Sequence, residues 1–132
     1  MKISATLQSS FEQHTIVVKT DDNAKEMHIA PKSSGYGSSL NGGEILMVAL
    51  ATCFCNDIYR EAAKRQIEVK SIEVEFHSDF GSEGEPGTNF RYKAKVDSTA
   101  SPKEIQDLIH HTDQIAEIHN TLRKGVNVTL EG

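Results

Sequence analysis

The sequence predicts an α+β fold with antiparallel strand pairing. The segment Ile45–Ala51 is apolar on every side of a helix, and such a helix is buried on every side. Residues 67–80 and 90–96 alternate apolar and polar side chains around a Gly- and Pro-containing loop, which is typical of an antiparallel hairpin. The predicted order is βββ–α–ββ–α–β. Because the strands cluster ahead of and between two helices, the pattern favours α+β over an alternating parallel sheet.

The composition indicates one globular domain over residues 1–132 and excludes several classes of protein. Of the 132 residues, 37% are hydrophobic and 25% charged, and the net charge is −5. No Lys/Arg stripe is present, so the chain lacks the electrostatic surface that nucleic acids require. The sequence contains no run of 18 apolar residues that would predict a membrane span, and we expect no signal peptide. Two cysteines do not form a disulfide scaffold, so we expect a reducing, cytoplasmic location.

The first third of the chain predicts three strands and a loop. Residues 2–7 alternate weakly, residues 14–20 are rich in β-branched side chains, and residues 27–30 form a short third strand that ends at a proline. Residues 31–43 are rich in Ser, Gly and Asn, which indicates a loop. Tyr36 lies in it between two glycines, where it either lines a pocket or anchors the loop by packing.

A long helix is predicted from Gly42 to about Gln66. Asn41 and Glu44 have the N-cap and N3 spacing of a variant capping box. A domain of this size cannot easily enclose a helix that is apolar on all sides. We therefore expect a partner subunit to cover part of it.

The rest of the chain predicts a hairpin, a second helical region and a last strand. The strands span Ile67–Phe80 and Phe90–Val96. Ser101-Pro-Lys-Glu104 has the pattern of a capping box with proline at the first helical position. Gly125 is expected to end the helical region, and Val126–Leu130 alternates as a strand.

The only two cysteines, Cys53 and Cys55, lie in the middle of the first helix. They are roughly 200° apart around it, so they cannot bridge each other, and no Cys/His cluster predicts a metal site or another cofactor. Cys55 shares an apolar face and is interpreted as a small buried hydrophobe. Cys53 lies where the apolar face becomes polar, and it is either packing or a reactive thiol. Arg60 would stabilise its thiolate, whereas Asp57 would oppose ionisation.

Two further residues are candidates for the same site. Glu44 lies nine residues before Cys53, about 13 Å along a regular helix. Capping explains it fully, and a catalytic role requires a loop or a second subunit to fold over it. His119, followed by Asn120 and Arg123, is a candidate pocket residue on the second helical region.

These segments resemble the OsmC/Ohr family (osmotically inducible protein C and organic hydroperoxide resistance protein). Asn41–Cys53 is similar to the central helix of the family, in which a glutamate and an Ala- and Leu-rich stretch precede a cysteine. Ile67–Phe76 is similar to the strand that follows it. Ser101–Glu104 and His119–Gly125 are similar to its last helix and turn. The resemblance covers essentially the whole chain.

The resemblance implies an intertwined homodimer in which antiparallel sheets wrap around long central helices. It also implies a cysteine peroxidase that reduces organic hydroperoxides at the subunit interface. Cys53 then occupies the position of the peroxidatic thiolate, and Glu44 that of the family's glutamate. The pocket would be formed with the partner's last helix by Tyr36, Leu46 and Phe54.

The chain departs from the family pattern in two places. The family's second cysteine falls at about Ala116, and no arginine precedes Arg60 where the family's activating arginine lies. A peroxidase cycle therefore requires rearrangement of Cys55 or an external thiol reductant to resolve Cys53. Two functions remain open beside a purely structural dimer. One is thiol-dependent reduction of a small organic hydroperoxide, and the other is binding of a small apolar ligand without redox chemistry.

Overall fold

The computed structural model describes residues 1–132 as an α+β fold with antiparallel pairing throughout. This confirms the predicted fold class. The chain forms two compact units, residues 1–45 and residues 46–132. None of its helices combines the length and apolarity that crossing a bilayer requires. The elements are β1 (Ile3–Ser10), β2 (Gln13–Thr20), β3 (Asn23–Met27), α1 (Gly42–Lys64), β4 (Val69–Asp79), β5 (Thr88–Ser98), α2 (Pro102–Ile115) and α3 (Glu117–Lys124).

The first unit is a three-stranded meander in the order β1-β2-β3. Leu7 pairs with Ile16, which in turn pairs with Met27. These three side chains therefore share one face of the sheet, since side chains alternate along a strand. The predicted third strand at residues 27–30 was placed too late. The chain reverses immediately after β2, so that Asn23 already pairs with Thr20.

Helix α1 begins at Gly42, as predicted. The Glu44 amide donates to Asn41 Oδ1 at 2.8 Å, and the Asn41 amide donates to Glu44 Oε1 at 2.9 Å. This reciprocal pair satisfies two amides of the first turn. The helix ends at Lys64, two residues before the predicted end, and Gln66 adopts a left-handed φ of 57° that turns the chain toward β4.

The second unit packs one face of the β4–β5 hairpin against α1 and α2. Ile72 pairs with Val96, and Phe76 pairs with Tyr92, so the predicted alternation places these side chains on one face. Of these, Ile72, Tyr92 and Val96 are partly buried against a buried cluster. The cluster consists of Phe54, Ile58 and Ala62 from α1 and Leu108 from α2.

The predicted second helical region is two helices. Helix α2 starts with the expected capping box at Ser101. It ends at Ile115, and the extended backbone of Ala116 (φ −67°, ψ 110°) separates it from α3. Alanine is a strong helix former, so nothing in the sequence marks this break. Gly125 ends α3 in the left-handed conformation (φ 67°) that favours glycine.

The predicted last strand, Val126–Leu130, is not formed. Val128 and Leu130 are 98% and 97% exposed. A strand needs a neighbour to accept its backbone hydrogen bonds, and β4 and β5 pair only with each other.

Candidate functional site

Cys53 lies half-buried in the middle of α1, opposite the break between α2 and α3. The backbone N–H of Ile118 lies near enough to the sulfur to lower the pKa of Cys53. Ile118 is the second residue of α3, and the N-cap residue Ala116 provides no side-chain cap. The sulfur therefore lies near the start of α3, where the first-turn amides have no partner within the helix and the helix dipole is positive.

Two carboxylates oppose this stabilisation. The Cys53 thiol donates to Asp57 Oδ2 at 3.7 Å, and ligand atoms of Cys53, Asp57 and Glu117 all lie within 4.8 Å of one another. Burial, above all, and then the charges of Asp57 and Glu117 raise the pKa of Cys53 against the lowering effect of the Ile118 amide. A reactive thiol needs a lowered pKa, whereas the pKa of Cys53 in the single chain is raised.

Arg60 does not stabilise the Cys53 thiolate, although the sequence made it a candidate for that role. Its Nη1 binds Asp57 Oδ1 at 3.0 Å, and its Nε binds Glu61 Oε2 at 2.9 Å. The guanidinium is thus engaged by carboxylates, with Asp57 standing between it and the sulfur. Its charge lowers the pKa of Asp57, but burial outweighs this effect and the pKa of Asp57 is raised.

The Cys53, Asp57 and Glu117 side chains are also the group best placed to hold a divalent cation. They offer one sulfur and two carboxylates, whereas structural zinc sites supply four protein ligands and are rich in cysteine and histidine. Asp57 is already bound by Arg60. These three side chains therefore suit the sharing of a proton between the thiol and the carboxylates better than the binding of a structural metal ion.

An apolar groove, built from two cavities that share Phe90, Leu122 and Arg123, runs along α1. The inner cavity has a volume of about 150 Å³ and the outer one about 440 Å³. Leu50 and His119 line the inner cavity, and Leu46 lines the outer one. The remaining lining residues are Phe76 and Tyr92 of the inner cavity and Phe80 and Gly87 of the outer one.

His119 forms one wall of the inner cavity. It is only 4% exposed, and neither of its ring nitrogens has a hydrogen-bond partner. Its ring stacks on Phe54 at 5.9 Å and meets the rings of Phe76 and Tyr92 edge-on at 5.2 and 4.9 Å. Burial first, and then the charge of Arg123, lower the pKa of His119, so the imidazole is neutral at pH 7.

Phe54 was expected to line the pocket, but the structure places it in the core. Its side chain is completely buried and lines neither cavity. Its ring packs edge-on against Tyr92 at 5.0 Å. Because it also stacks on His119, Phe54 fixes the orientation of the imidazole from the core side.

The two remaining candidates, Tyr36 and Glu44, belong to the first unit. Tyr36 is exposed and packs edge-on against Phe11 at 5.2 Å, next to a backbone hydrogen bond from Glu12 to Gly35. These contacts are those of the loop anchor that the sequence left open. Glu44 makes the capping contacts of α1 described above.

The family model described as OsmC-like protein matches residues 35–131. The chain belongs to the OsmC-like family. A comparison with curated protein sequences found no significant match.

The fold of this OsmC-like protein is shared by solved structures of low sequence identity. An OsmC-like protein from Mycoplasma pneumoniae is 21% identical, with 98% of this chain and 95% of the other covered and a TM-score of 0.63. An OsmC-like hydroperoxide resistance protein from Jannaschia sp. CCS1 is 14% identical (96% and 87% covered, TM-score 0.59). The organic hydroperoxide resistance protein OhrB of Bacillus subtilis is 15% identical (99% and 97% covered, TM-score 0.56). These likenesses establish the fold.

Sequence reasoning missed one feature of the site in this OsmC-like chain and anticipated another. The Ile118 amide could not be anticipated, because it faces Cys53 only as a consequence of the helix break at Ala116. Asp57 carried a signal, since it lies one turn after Cys53 on the same helix face. Cys55, expected to be a small buried hydrophobe, is half-buried and lines a separate shallow depression with Ile72 and Val74.

Proposed function

We propose that this OsmC-like protein reduces organic hydroperoxides with Cys53 as the peroxidatic thiol and an external thiol as the reductant, in a reducing compartment such as the cytoplasm. The carrying observation is the half-buried Cys53 thiol in the middle of α1, which donates to Asp57 Oδ2 at 3.7 Å and so has an acceptor for its proton. The apolar groove offers a surface for the organic part of the substrate. Similar structures titled hydroperoxide resistance proteins support the substrate class.

The proposed reaction requires the thiol proton to leave and return. Asp57 Oδ2, at 3.7 Å, is the acceptor in contact with it. The thiolate attacks one peroxide oxygen, the O–O bond breaks, and the departing alkoxide takes up the proton to become an alcohol. Cys53 is left as a sulfenic acid. The thiol is thus oxidised by two electrons while the hydroperoxide is reduced to the alcohol.

The second half of the cycle uses two molecules of external thiol. Ala116 occupies the place of a resolving cysteine and is completely buried. The first thiol therefore condenses with the sulfenic acid and releases water. The second attacks the mixed disulfide and restores the Cys53 thiol, releasing the oxidised reductant.

A homodimer is part of the proposal. Leu7, on the apolar face of β1–β3, is 56% exposed, and Val48 on α1 is 54% exposed. Apolar surfaces of this kind are typical of interfaces. We include Glu44 as a catalytic residue and Tyr36 as a binding residue that the partner subunit contributes.

Turnover of cumene hydroperoxide with dithiothreitol tests the proposal. Cys53→Ser is expected to abolish turnover, whereas Cys55→Ser is expected to retain it, because Cys55 lines a different depression. Absence of turnover in the unchanged protein, or retention of turnover in Cys53→Ser, would overturn the proposal.

The raised pKa of Cys53 favours one alternative, a dimer that binds a small apolar ligand in the groove without redox chemistry. A binder is stabilised against heat by its ligand without consuming peroxide. Thermal-shift measurements with cumyl alcohol and with a fatty acid, made beside the turnover assay, separate the two functions. Stabilisation with no turnover identifies the binder.

A further inference from the structure

We propose that His119 and the inner cavity form a subsite for an uncharged aromatic or branched-alkyl molecule that carries a hydroxyl or hydroperoxide group. The proposal deepens the proposed function, because it names the class of hydroperoxide that the groove accepts and the residue that holds its polar end. It rests on the geometry around the imidazole.

The imidazole offers two unused hydrogen-bonding atoms. A neutral histidine has one ring nitrogen that donates and one that accepts. Both nitrogens of His119 are buried without a partner, although buried polar groups in proteins are nearly always paired. A hydroxyl or hydroperoxide group both donates and accepts, so it can satisfy either nitrogen.

The surrounding walls are shaped for a ring or a branched alkyl group. Leu50, Phe90 and Leu122 line the cavity together with Phe76 and Tyr92, two of the aromatic side chains that pack against His119. Its volume is about 150 Å³, close to the size at which an apolar cavity of about 150 Å³ accepts benzene. The cavity therefore matches a phenyl or tert-butyl group better than an extended chain.

The charges around the cavity favour an uncharged ligand. Arg123 is the one cation in the lining, and it already donates to Asp113, with Nη2 at 2.7 Å from Oδ1 and Nη1 at 2.9 Å from the backbone oxygen. The Tyr92 hydroxyl donates to the same carboxylate. A carboxylate-bearing ligand would find a neutral imidazole and a guanidinium already paired with Asp113, which leaves its charge poorly compensated.

The subsite is built on the two helices, α1 and α3, that also flank the proposed nucleophile. His119 directly follows Ile118, whose backbone amide lies near enough to the Cys53 sulfur to affect the thiol. Leu50 precedes Cys53 by three residues on α1, so both point to the same side of the helix. The inner cavity is therefore lined by residues of the same two helices that flank the sulfur.

Binding of cumyl alcohol to the full-length Cys53→Ser protein tests the proposal without requiring any redox activity. We expect saturable binding by calorimetry and a change in the ¹⁵N chemical shifts of the His119 ring on titration. His119→Phe should weaken binding at least tenfold, His119→Gln should weaken it less because the amide keeps a donor and an acceptor, and the exposed His110→Phe should leave it unchanged.

A charged analogue provides the decisive comparison. The para-carboxylate of cumyl alcohol is expected to bind at least tenfold more weakly than cumyl alcohol itself. Equal or tighter binding of the carboxylate, unchanged ring ¹⁵N shifts, or full affinity in His119→Phe would each overturn the subsite. Because the serine variant cannot react with peroxide, loss of turnover in the unchanged protein and loss of this binding are separate results.

Discussion

At the scale of single residues, the ionisation of Cys53 depends on groups that pull in opposite directions. The Ile118 amide stabilises the thiolate, whereas burial and the carboxylates of Asp57 and Glu117 favour the thiol. Asp57 has the closest contact, since it accepts the thiol proton. It is therefore both the group that can take the proton and the main charge that suppresses ionisation.

Asp57→Asn is expected to lower the pKa of Cys53, because it removes a negative charge beside the sulfur and releases Arg60. A fall of one pKa unit raises the thiolate population about tenfold well below the pKa. Iodoacetamide labelling of Cys53 at pH 7 should accelerate severalfold. Asp107→Asn removes an exposed carboxylate paired with Lys103 and is the matched control. Slower or unchanged labelling in Asp57→Asn would show that Asp57 does not hold the thiol proton.

The proposed turnover should rise with pH in the unchanged protein. The pKa of Cys53 is raised, so the thiolate is scarce at pH 7 and accumulates only as the pH approaches the raised value. In Asp57→Asn the rising limb should move to lower pH. Initial rates of cumene hydroperoxide reduction between pH 6 and 10 measure both curves, and a rate that falls over this range would contradict the assignment of Cys53.

At the scale of elements, the break at Ala116 is what brings α3 to the cysteine. One continuous helix would use the amide of Ile118 internally, whereas the start of a new helix leaves it free. The capping boxes of α1 and α2 were predictable, since they depend on side chains three residues apart. The break was not, since no proline or glycine marks it.

Ala116→Cys is expected to restore an intramolecular resolving step. Ala116 lies two residues before Ile118, whose amide is near enough to the sulfur to lower the pKa of Cys53, so we expect a thiol there to reach the sulfenic acid. After one equivalent of hydroperoxide, non-reducing peptide mass spectrometry should find a disulfide between Cys53 and the introduced cysteine. Gln114→Cys, at an exposed position of α2, is the control and should not form it. Oxidised Cys53 without the bridge in Ala116→Cys would place the α2–α3 break away from the sulfur.

Glu61 joins α1 to α2. It accepts from Lys64, from Arg60 and from His111, at 2.9, 2.9 and 3.0 Å. The Lys64 hydrogen bond first, and then that of Arg60, lower its pKa from 4.5 to about 2. A depressed carboxylate pKa stabilises the fold above the unfolded value, and this stability is lost as the pH falls through the folded value.

Glu61→Gln is therefore expected to lower the Tm by several degrees at pH 7. The difference from the unchanged protein should shrink as the pH falls from 4.5 toward 2, where Glu61 itself becomes protonated. Thermal melts across this range measure the effect, with Glu73→Gln on the outer face of β4 as the control. A difference that persists undiminished at pH 2 would mean that the charge of Glu61 is not what joins the helices.

At the scale of the whole molecule, the periodicity of the sequence predicted the features that depend on side chains close together in the chain. The helix start at Gly42, the β4–β5 hairpin and the fold class all follow from patterns within a few residues. The pairing of strands does not follow from local patterns. Val126–Leu130 alternates like a strand but has no neighbouring strand to pair with. The prediction of the pocket residues failed for the same reason. Phe54 and Leu46 both lie on an apolar helix, and only the packing of β5 and α3 decides which of them faces a cavity.

The last prediction concerns the proposed homodimer. Leu7 pairs with Ile16, and Thr6 pairs with Val17 on the opposite face of the same sheet. If a second copy covers the apolar face, Leu7→Glu buries an unpaired charge at the interface and should shift the protein from dimer to monomer, whereas Thr6→Glu should leave it dimeric. Light scattering after size-exclusion chromatography measures the mass of each. A monomeric unchanged protein would remove the dimer from the proposal. A dimeric Leu7→Glu would instead place the interface on another surface, with the exposed Val48 of α1 as the next position to substitute.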